Sequence, residues 1–278
     1  MRLTRSLIVA AVAALALSAC GSSDGETSSE DGALETVTAG KLTIATGEPA
    51  YPPYVENDAP ESGEGFEAAL AYAIAEELGF AKDDVVWTRT GFEEAIQPGP
   101  KDFGLNLQQF SITEERKKAV DFSSSYYSAP TAILAIDGGP GADAKSLADL
   151  RDLSIGVQTG TSTFKSLETI VKPSKDPQVF NSNDDAVAAF RSGQVDLLAV
   201  DLPTASFLTL GSEVGGVDDS VIVGQLDDES GSEWGALLDK DSPITDAVTK
   251  AIDTLRENGT LDELIEKWLP FASTPVLK

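Results

Sequence analysis

Phe110-Ser111-Ile112-Thr113-Glu114-Glu115-Arg116, running on to Val120-Asp121-Phe122-Ser123 and Tyr126-Tyr127, is the stretch on which the reading of the fold turns. It follows a strand-like run from Asp102 to Leu107. It brings a hydroxyl, a helix start and a guanidinium together. Ser111 and Glu114 have the spacing of a capping box, so Ser111 or Thr113 capping a helix is the plain structural reading. Capping does not explain Arg116. In the first turn after a strand's carboxyl end, its side chain can turn toward the crevice where open α/β sheets bind ligands. A guanidinium there grips a carboxylate through two parallel hydrogen bonds.

The flanking sequence fits that geometry. Lys41-Leu-Thr-Ile-Ala-Thr46 alternates as a strand does. A Pro-rich loop follows, Pro49-Ala-Tyr51-Pro52-Pro53-Tyr54. Phe66, Leu70, Ile74 and Leu78 then recur every fourth residue before Gly79, which predicts an amphipathic helix. Val85-Val86-Trp87 predicts a strand and Phe92 to Ile96 a short helix. After Tyr127 the pattern restarts. Strands are expected over 131–136, 153–158 and 195–200, and helices over 146–150, 163–171, 184–191 and 202–210. Two further helices are expected at the end, with stripes Ile244, Val248, Ile252, Leu255 and Leu261, Leu264, Ile265, Trp268. Strands alternating with helices indicate an α/β protein with mainly parallel sheets. The restart indicates two lobes, residues 41–129 with 226–278 and residues 130–225.

The second lobe repeats the logic of the first. In Gln158-Thr-Gly-Thr161-Ser162-Thr163 a strand ends, a glycine permits a tight turn, and hydroxyls stand at a helix start. Free backbone N–H groups there favour an anion, though simple capping accounts for the pattern equally well. No Gly-Lys-Ser/Thr follows, so it is not a Walker loop. Asp201 ends the run Val195 to Val200 and is placed either to meet a ligand ammonium or to cap the helix after Pro203. Tyr51, Tyr54, Phe92 and Trp234 are candidate cleft aromatics, each equally at home in a core, with Tyr51 favoured by its prolines. One lobe thus offers a cation and the other N–H groups and an acid. A zwitterion held between them gains its contacts when the lobes close by a hinge motion.

Composition narrows the chemistry. The chain has no histidine, one cysteine and a formal net charge of −26. Ser-His-Asp and Cys-His catalysis are excluded, as are disulfides and Cys/His metal sites. No cofactor is expected. Such an acidic surface disfavours nucleic acid and anionic lipid. Arg2 and Arg5 precede an apolar run, Leu7 to Leu17, of signal-peptide length. Leu17-Ser18-Ala19-Cys20 reads as a lipobox, with Cys20 as the lipidation site. Residues 1–19 are therefore expected to be a lipoprotein signal peptide, and residues 20–40, small, polar and acidic, a disordered tether. The protein is expected outside the cytoplasm, anchored to the cell membrane and monomeric.

Together these motifs resemble the family 3 bacterial solute-binding proteins, the amino-acid receptors of ABC importers. The resemblance covers nearly all of residues 41–270. It is carried by Ile44-Ala-Thr46 with Tyr51-Pro-Pro-Tyr54, Gly65-Phe66-Glu67, Ser111-Ile-Thr-Glu-Glu-Arg116, Gly156-Val-Gln-Thr-Gly-Thr161, Gly193-Gln-Val-Asp196, and Leu255-Arg-Glu-Asn-Gly259-Thr260 with Trp268. It implies a two-lobed periplasmic-binding-protein-like fold of type II with two hinge crossings, enclosing an amino acid for an ABC permease and its ATPase. By resemblance Arg116 binds the ligand α-carboxylate, helped by Ser162 and Thr161. Asp201 binds the α-ammonium, helped by Ser111 and the carbonyl near Gln109. Tyr51 and Phe92 flank the ligand, and Gln158 contacts its side chain. Two departures stand out. Gln108 and Gln109 occupy positions that are often small, where they narrow or polarise the pocket. The acid that often follows the first strand is displaced to Glu48. Two other readings use the same scaffold: a dehydratase of cyclic acids, served by Glu48, Asp201 or a tyrosine, and a sensor for a membrane signalling partner.

Overall fold

The computed structural model describes residues 34–228, 233–270 and 274–278. The signal peptide expected over 1–19, Cys20 and the tether as far as residue 33 lie outside the described residues. From Leu34 onward the expected tether is already in contact with the fold. Leu34 packs against the first-lobe core, and Thr38 bridges Lys41.

Two five-stranded sheets form the body. The first contains β1 (Leu42–Gly47), β2 (Val85–Thr90), β3 (Leu105–Asn106), β4 (Asp121–Ser128) and β10 (Glu233–Leu238), in the order β2-β1-β3-β10-β4. The second contains β5 (Thr131–Ile136), β6 (Ile155–Gln158), β7 (Gln178–Phe180), β8 (Leu197–Asp201) and β9 (Ser220–Gln225), in the order β7-β6-β8-β5-β9. Seven α-helices accompany them among the described residues: α1 (Phe66–Glu77), α2 (Phe92–Ala95), α3 (Ser162–Ser166), α4 (Asn183–Arg191), α5 (Leu202–Leu208), α6 (Thr245–Glu257) and α7 (Thr260–Trp268).

Both faces of each sheet are covered, so the strands alternate between two cores rather than between core and water. Leu42 and Ile44 of β1 join Phe66, Leu70 and Ile74 of α1 in one cluster, while Ala45 points to the other, with Phe103, Phe110 and Leu237. In β5, Ile133 and Ala135 face one second-lobe cluster, and Ala132 and Leu134 the other.

The expectation of mainly parallel sheets is corrected. β1 pairs β2 and β3 in parallel, but β10 pairs β3 and β4 antiparallel. β6 pairs β7 and β8 in parallel, but β5 pairs β8 and β9 antiparallel. The strands beside the crossings run back across sheets that the helix connections had built in parallel. The helix expected after Ser111 is one 3-10 turn, Arg116–Lys118. The Thr113 hydroxyl accepts from the Arg116 N–H at 3.1 Å, whereas Ser111 forms a bridge with Trp234.

β4 passes into β5 through Ala129 and Pro130, and β9 runs on into residues 226–228 ahead of β10. The second passage remains with the second lobe at first, since Leu226 is buried in its core. The expected assignment of 226–278 to the first lobe also changes at the end of the chain. Val276 pairs in parallel with Gln225, the Leu277 N–H donates to the Gln225 carbonyl at 2.9 Å, and Leu277 is buried in the second-lobe core. Gly224 makes this docking possible. A β-carbon there would stand 2.7 Å from Leu277 Cγ and 2.8 Å from the Pro275 carbonyl oxygen.

Candidate ligand-binding site

The carboxyl ends of the parallel strands β1, β3, β6 and β8 converge where the lobes meet, which is where open α/β sheets hold ligands. They enclose a cavity of about 180 Å³. An engineered apolar cavity of about 150 Å³ accommodates benzene, so this space suits a molecule of amino-acid size.

Each wall has a local cause. After β1 the chain lays Glu48, Tyr51 and Tyr54 along the cavity. Asp58 braces this loop by accepting from the Ala50 N–H at 2.9 Å and pairing with Arg89 at 2.5 Å. After β3 come Gln108, Gln109 and Ser111, and Phe92 stands beside them. Its ring stacks on Phe110 with centroids 4.9 Å apart. The second lobe contributes Gln158 at the end of β6, then Thr161 and Ser162, then Asn181 to Asn183 at the start of α4, and Asp201.

Asp201 is a helix cap that also faces the cavity. It caps α5, accepting from the Thr204 N–H at 2.8 Å and the Thr204 hydroxyl at 2.9 Å. It also lines the cavity and accepts from the Tyr54 hydroxyl of the other lobe. Burial pushes its carboxyl above the usual range, against the pull of those hydrogen bonds. Thr161 is likewise a cap for α3, accepting from the Phe164 N–H at 3.2 Å, and lines the cavity. Ser162 meets Ser111 hydroxyl to hydroxyl at 2.8 Å across the lobes. Tyr51 also reaches across. Burial raises its phenol pKa, and a hydrogen bond to Asp184 near the start of α4 raises it further.

Nine of the ten expected residues line this one cavity: Glu48, Tyr51, Phe92, Gln109, Ser111, Gln158, Thr161, Ser162 and Asp201. Arg116 is not among the lining residues. Its guanidinium donates to the Ser111 carbonyl and, across the lobes, to the Gly160 carbonyl, each at 2.8 Å. It lies 5.3 Å from the Phe92 ring centroid. Burial lowers its pKa to about 10, while Glu93 and Glu115 act the other way, so it remains a cation. Gln109 lines the cavity, yet its side-chain amide donates to Glu67. Tyr54, Thr204 and Glu67 hydrogen-bond residues that line the cavity, and sequence reasoning did not select them. Tyr54 stood among the candidate aromatics, but nothing in the order of residues shows that it meets Asp201, far away in the chain. The only charged side chains that line the cavity, among the described residues, are the acids Glu48 and Asp201.

The comparisons agree with this architecture. Over 266 residues the chain is 30% identical to the arginine-binding extracellular protein ArtP of Bacillus subtilis, covering 94% of this chain and 96% of that one. It is 29% identical to the L-arginine-binding protein of Pseudomonas aeruginosa, with 86% and 92% covered. A solved structure of an ancestral arginine-binding protein bound to arginine matches with a TM-score of 0.66 at 30% identity, covering 82% of this chain and 98% of that one. Residues 42–271 match the family model of the bacterial extracellular solute-binding proteins, family 3. With the two lobes and the cavity between them, the chain belongs to that family and is a binding protein, not an enzyme.

Proposed function

We propose that the protein captures a cationic amino acid between its lobes and delivers it to an ABC permease from the outer face of a cell membrane, where it is anchored through Cys20. The observation that carries this reading is the charge of the cavity wall. Glu48 and Asp201 line it without a lysine or arginine beside them. Buried Asp201 is stabilised by a ligand ammonium brought into contact with it, and exposed Glu48 adds negative charge at the rim, so the site favours a ligand with an ammonium and a basic side chain. Similarity to arginine-binding relatives points the same way. In this reading Asp201 receives the α-ammonium, and the Ser111 and Ser162 hydroxyls receive the carboxylate. Arg116 supplies positive charge from behind Ser111, and Glu48 faces the side chain. The lipobox Leu17-Ser18-Ala19-Cys20 supports the anchor, and delivery to a permease follows from the family.

A thermal-shift screen over the common amino acids tests the ligand, because a compound that binds only the folded protein raises its melting temperature. Arginine is expected to give the largest shift, with lysine or histidine next. A larger shift from glutamate or leucine, or no shift from any amino acid, would overturn the assignment.

A further inference from the structure

Glu67 is an acid at the second position of α1, only 1% exposed, in the core beneath the cavity. Its carboxylate meets three donors. Oε1 accepts from the Gln109 N–H at 2.9 Å and from the Tyr126 hydroxyl at 2.5 Å, and Oε2 accepts from the Gln109 side-chain amide. Gln109 lines the cavity and has φ 51°, a left-handed conformation that residues with a β-carbon adopt at a cost. Ser111 of the site lies two residues further on. The turn that carries Gln109 and Ser111 is thus held in an unfavourable conformation by hydrogen bonds to one buried acid.

The ionised form suits the arrangement as it stands. A carboxylate accepts from all three donors, whereas a carboxylic acid or an amide brings an O–H or N–H of its own, which is met only if the Tyr126 hydroxyl or the Gln109 side-chain amide turns to accept it. The titratable groups facing Glu67 are the Tyr126 and Tyr54 hydroxyls and, from the other lobe, Asp201. No cation faces it among the described residues. Burial therefore raises Glu67 to about 7, although its hydrogen bonds pull the other way.

We infer that Glu67 is a positioning residue for the ligand-binding turn, and that its protonation loosens Gln109 and Ser111 and so weakens ligand binding. This rests on the amino-acid reading of the site. It carries a signature that a purely structural role lacks. A group whose folded-state pKa lies above its unfolded value contributes stability that is complete below the unfolded pKa and is lost as pH rises through the folded one. For Glu67 that window runs from the ordinary carboxyl value of 4.5 to about 7. Relative to Glu67→Gln, the fold of the wild type should weaken as pH rises through this window while its ligand affinity grows.

Calorimetric titration with L-arginine from pH 5.5 to 8, on the wild type and Glu67→Gln, tests this. Wild-type affinity should fall about tenfold from pH 8 to 5.5, since one pKa unit corresponds to a factor of ten. Glu67→Gln should bind at least tenfold more weakly at pH 8 and vary less than threefold over the range. Should that variant not fold, Gln109→Gly serves instead. Glycine adopts the left-handed turn without help, so the pH dependence should shrink to less than half. Wild-type affinity that is flat with pH would overturn the inference, as would equal pH slopes in wild type and variant. If the wild type binds none of arginine, lysine, histidine or glutamine, the amino-acid reading itself falls, and this inference with it.

Discussion

Tyr54→Phe isolates the contribution of one bond between the lobes. The Tyr54 ring is 3% exposed and packs edge-on against Trp234 with centroids 5.7 Å apart, so phenylalanine preserves the packing. What disappears is the hydroxyl, which donates to Asp201 and lies 3.1 Å from the Thr204 hydroxyl. Asp201 keeps its bonds to Thr204 within its own lobe. The loss therefore falls on the contact between lobes rather than on either lobe's fold. A hydrogen bond to a charged group contributes about 1.5–3 kcal/mol, which at 1.4 kcal/mol per factor of ten predicts a roughly 10- to 150-fold weaker Kd for arginine. The melting temperature of the free protein should change little. The Tyr54 bond also pulls the Asp201 pKa down against the effect of burial. Without it Asp201 protonates at higher pH, so the variant should lose affinity more steeply on acidification. Isothermal titration at pH 7.5 and pH 6 measures both effects. An affinity within threefold of wild type at pH 7.5 would refute the reasoning, because the bond would then carry nothing that closure depends on.

Two other substitutions probe the frame. Gly160 has φ +69°, and a β-carbon there would collide with the Glu93 carboxylate of the opposite lobe. Gly160→Ala should weaken arginine binding by about 1–2 kcal/mol from left-handed backbone cost and crowding together, and adding Glu93→Ala should recover part of it; a double variant no better than the single one would exclude the collision. Leu277 is 3% exposed in the second-lobe core, so Leu277→Ala should lower unfolding stability by about 2–5 kcal/mol in denaturant melts; a change under about 0.5 kcal/mol would show that the end of the chain is not docked in solution.

Local pattern made much of this molecule legible. The four-residue spacing of Phe66, Leu70 and Ile74 marked α1, and all three are fully buried against β1. Apolar runs ending in Gln158 and Asp201 marked β6 and β8, and with them the edge of the second sheet where the cavity opens. The strands β9 and β10 were not legible, because Ser220–Gln225 and Glu233–Leu238 hold only short apolar alternations. Their partners lie across the sheets in β5, β3 and β4, and pairing at that distance leaves no local signature. The same reason hid the Tyr54–Asp201 bond and the docking of Leu277. The partners of Arg116 were hidden too: its fork donates to the carbonyls of Ser111 and Gly160, and chain order does not show which carbonyls will be near. Glu67 was quoted only as part of a motif, since an acid in the first turn of a helix is ordinarily solvated and favoured there by the helix dipole.

The docking of residues 274–278 on the second sheet has a topological consequence. Leu34 packs with the first lobe and Leu277 with the second, so the described chain begins on one lobe and finishes on the other. Two strand crossings alone would have returned it to its starting body; the last segment makes the number of passages odd. The two ends are therefore handles on opposite arms of a hinge, and a separation measured between them tracks the angle of that hinge without any probe entering the cavity.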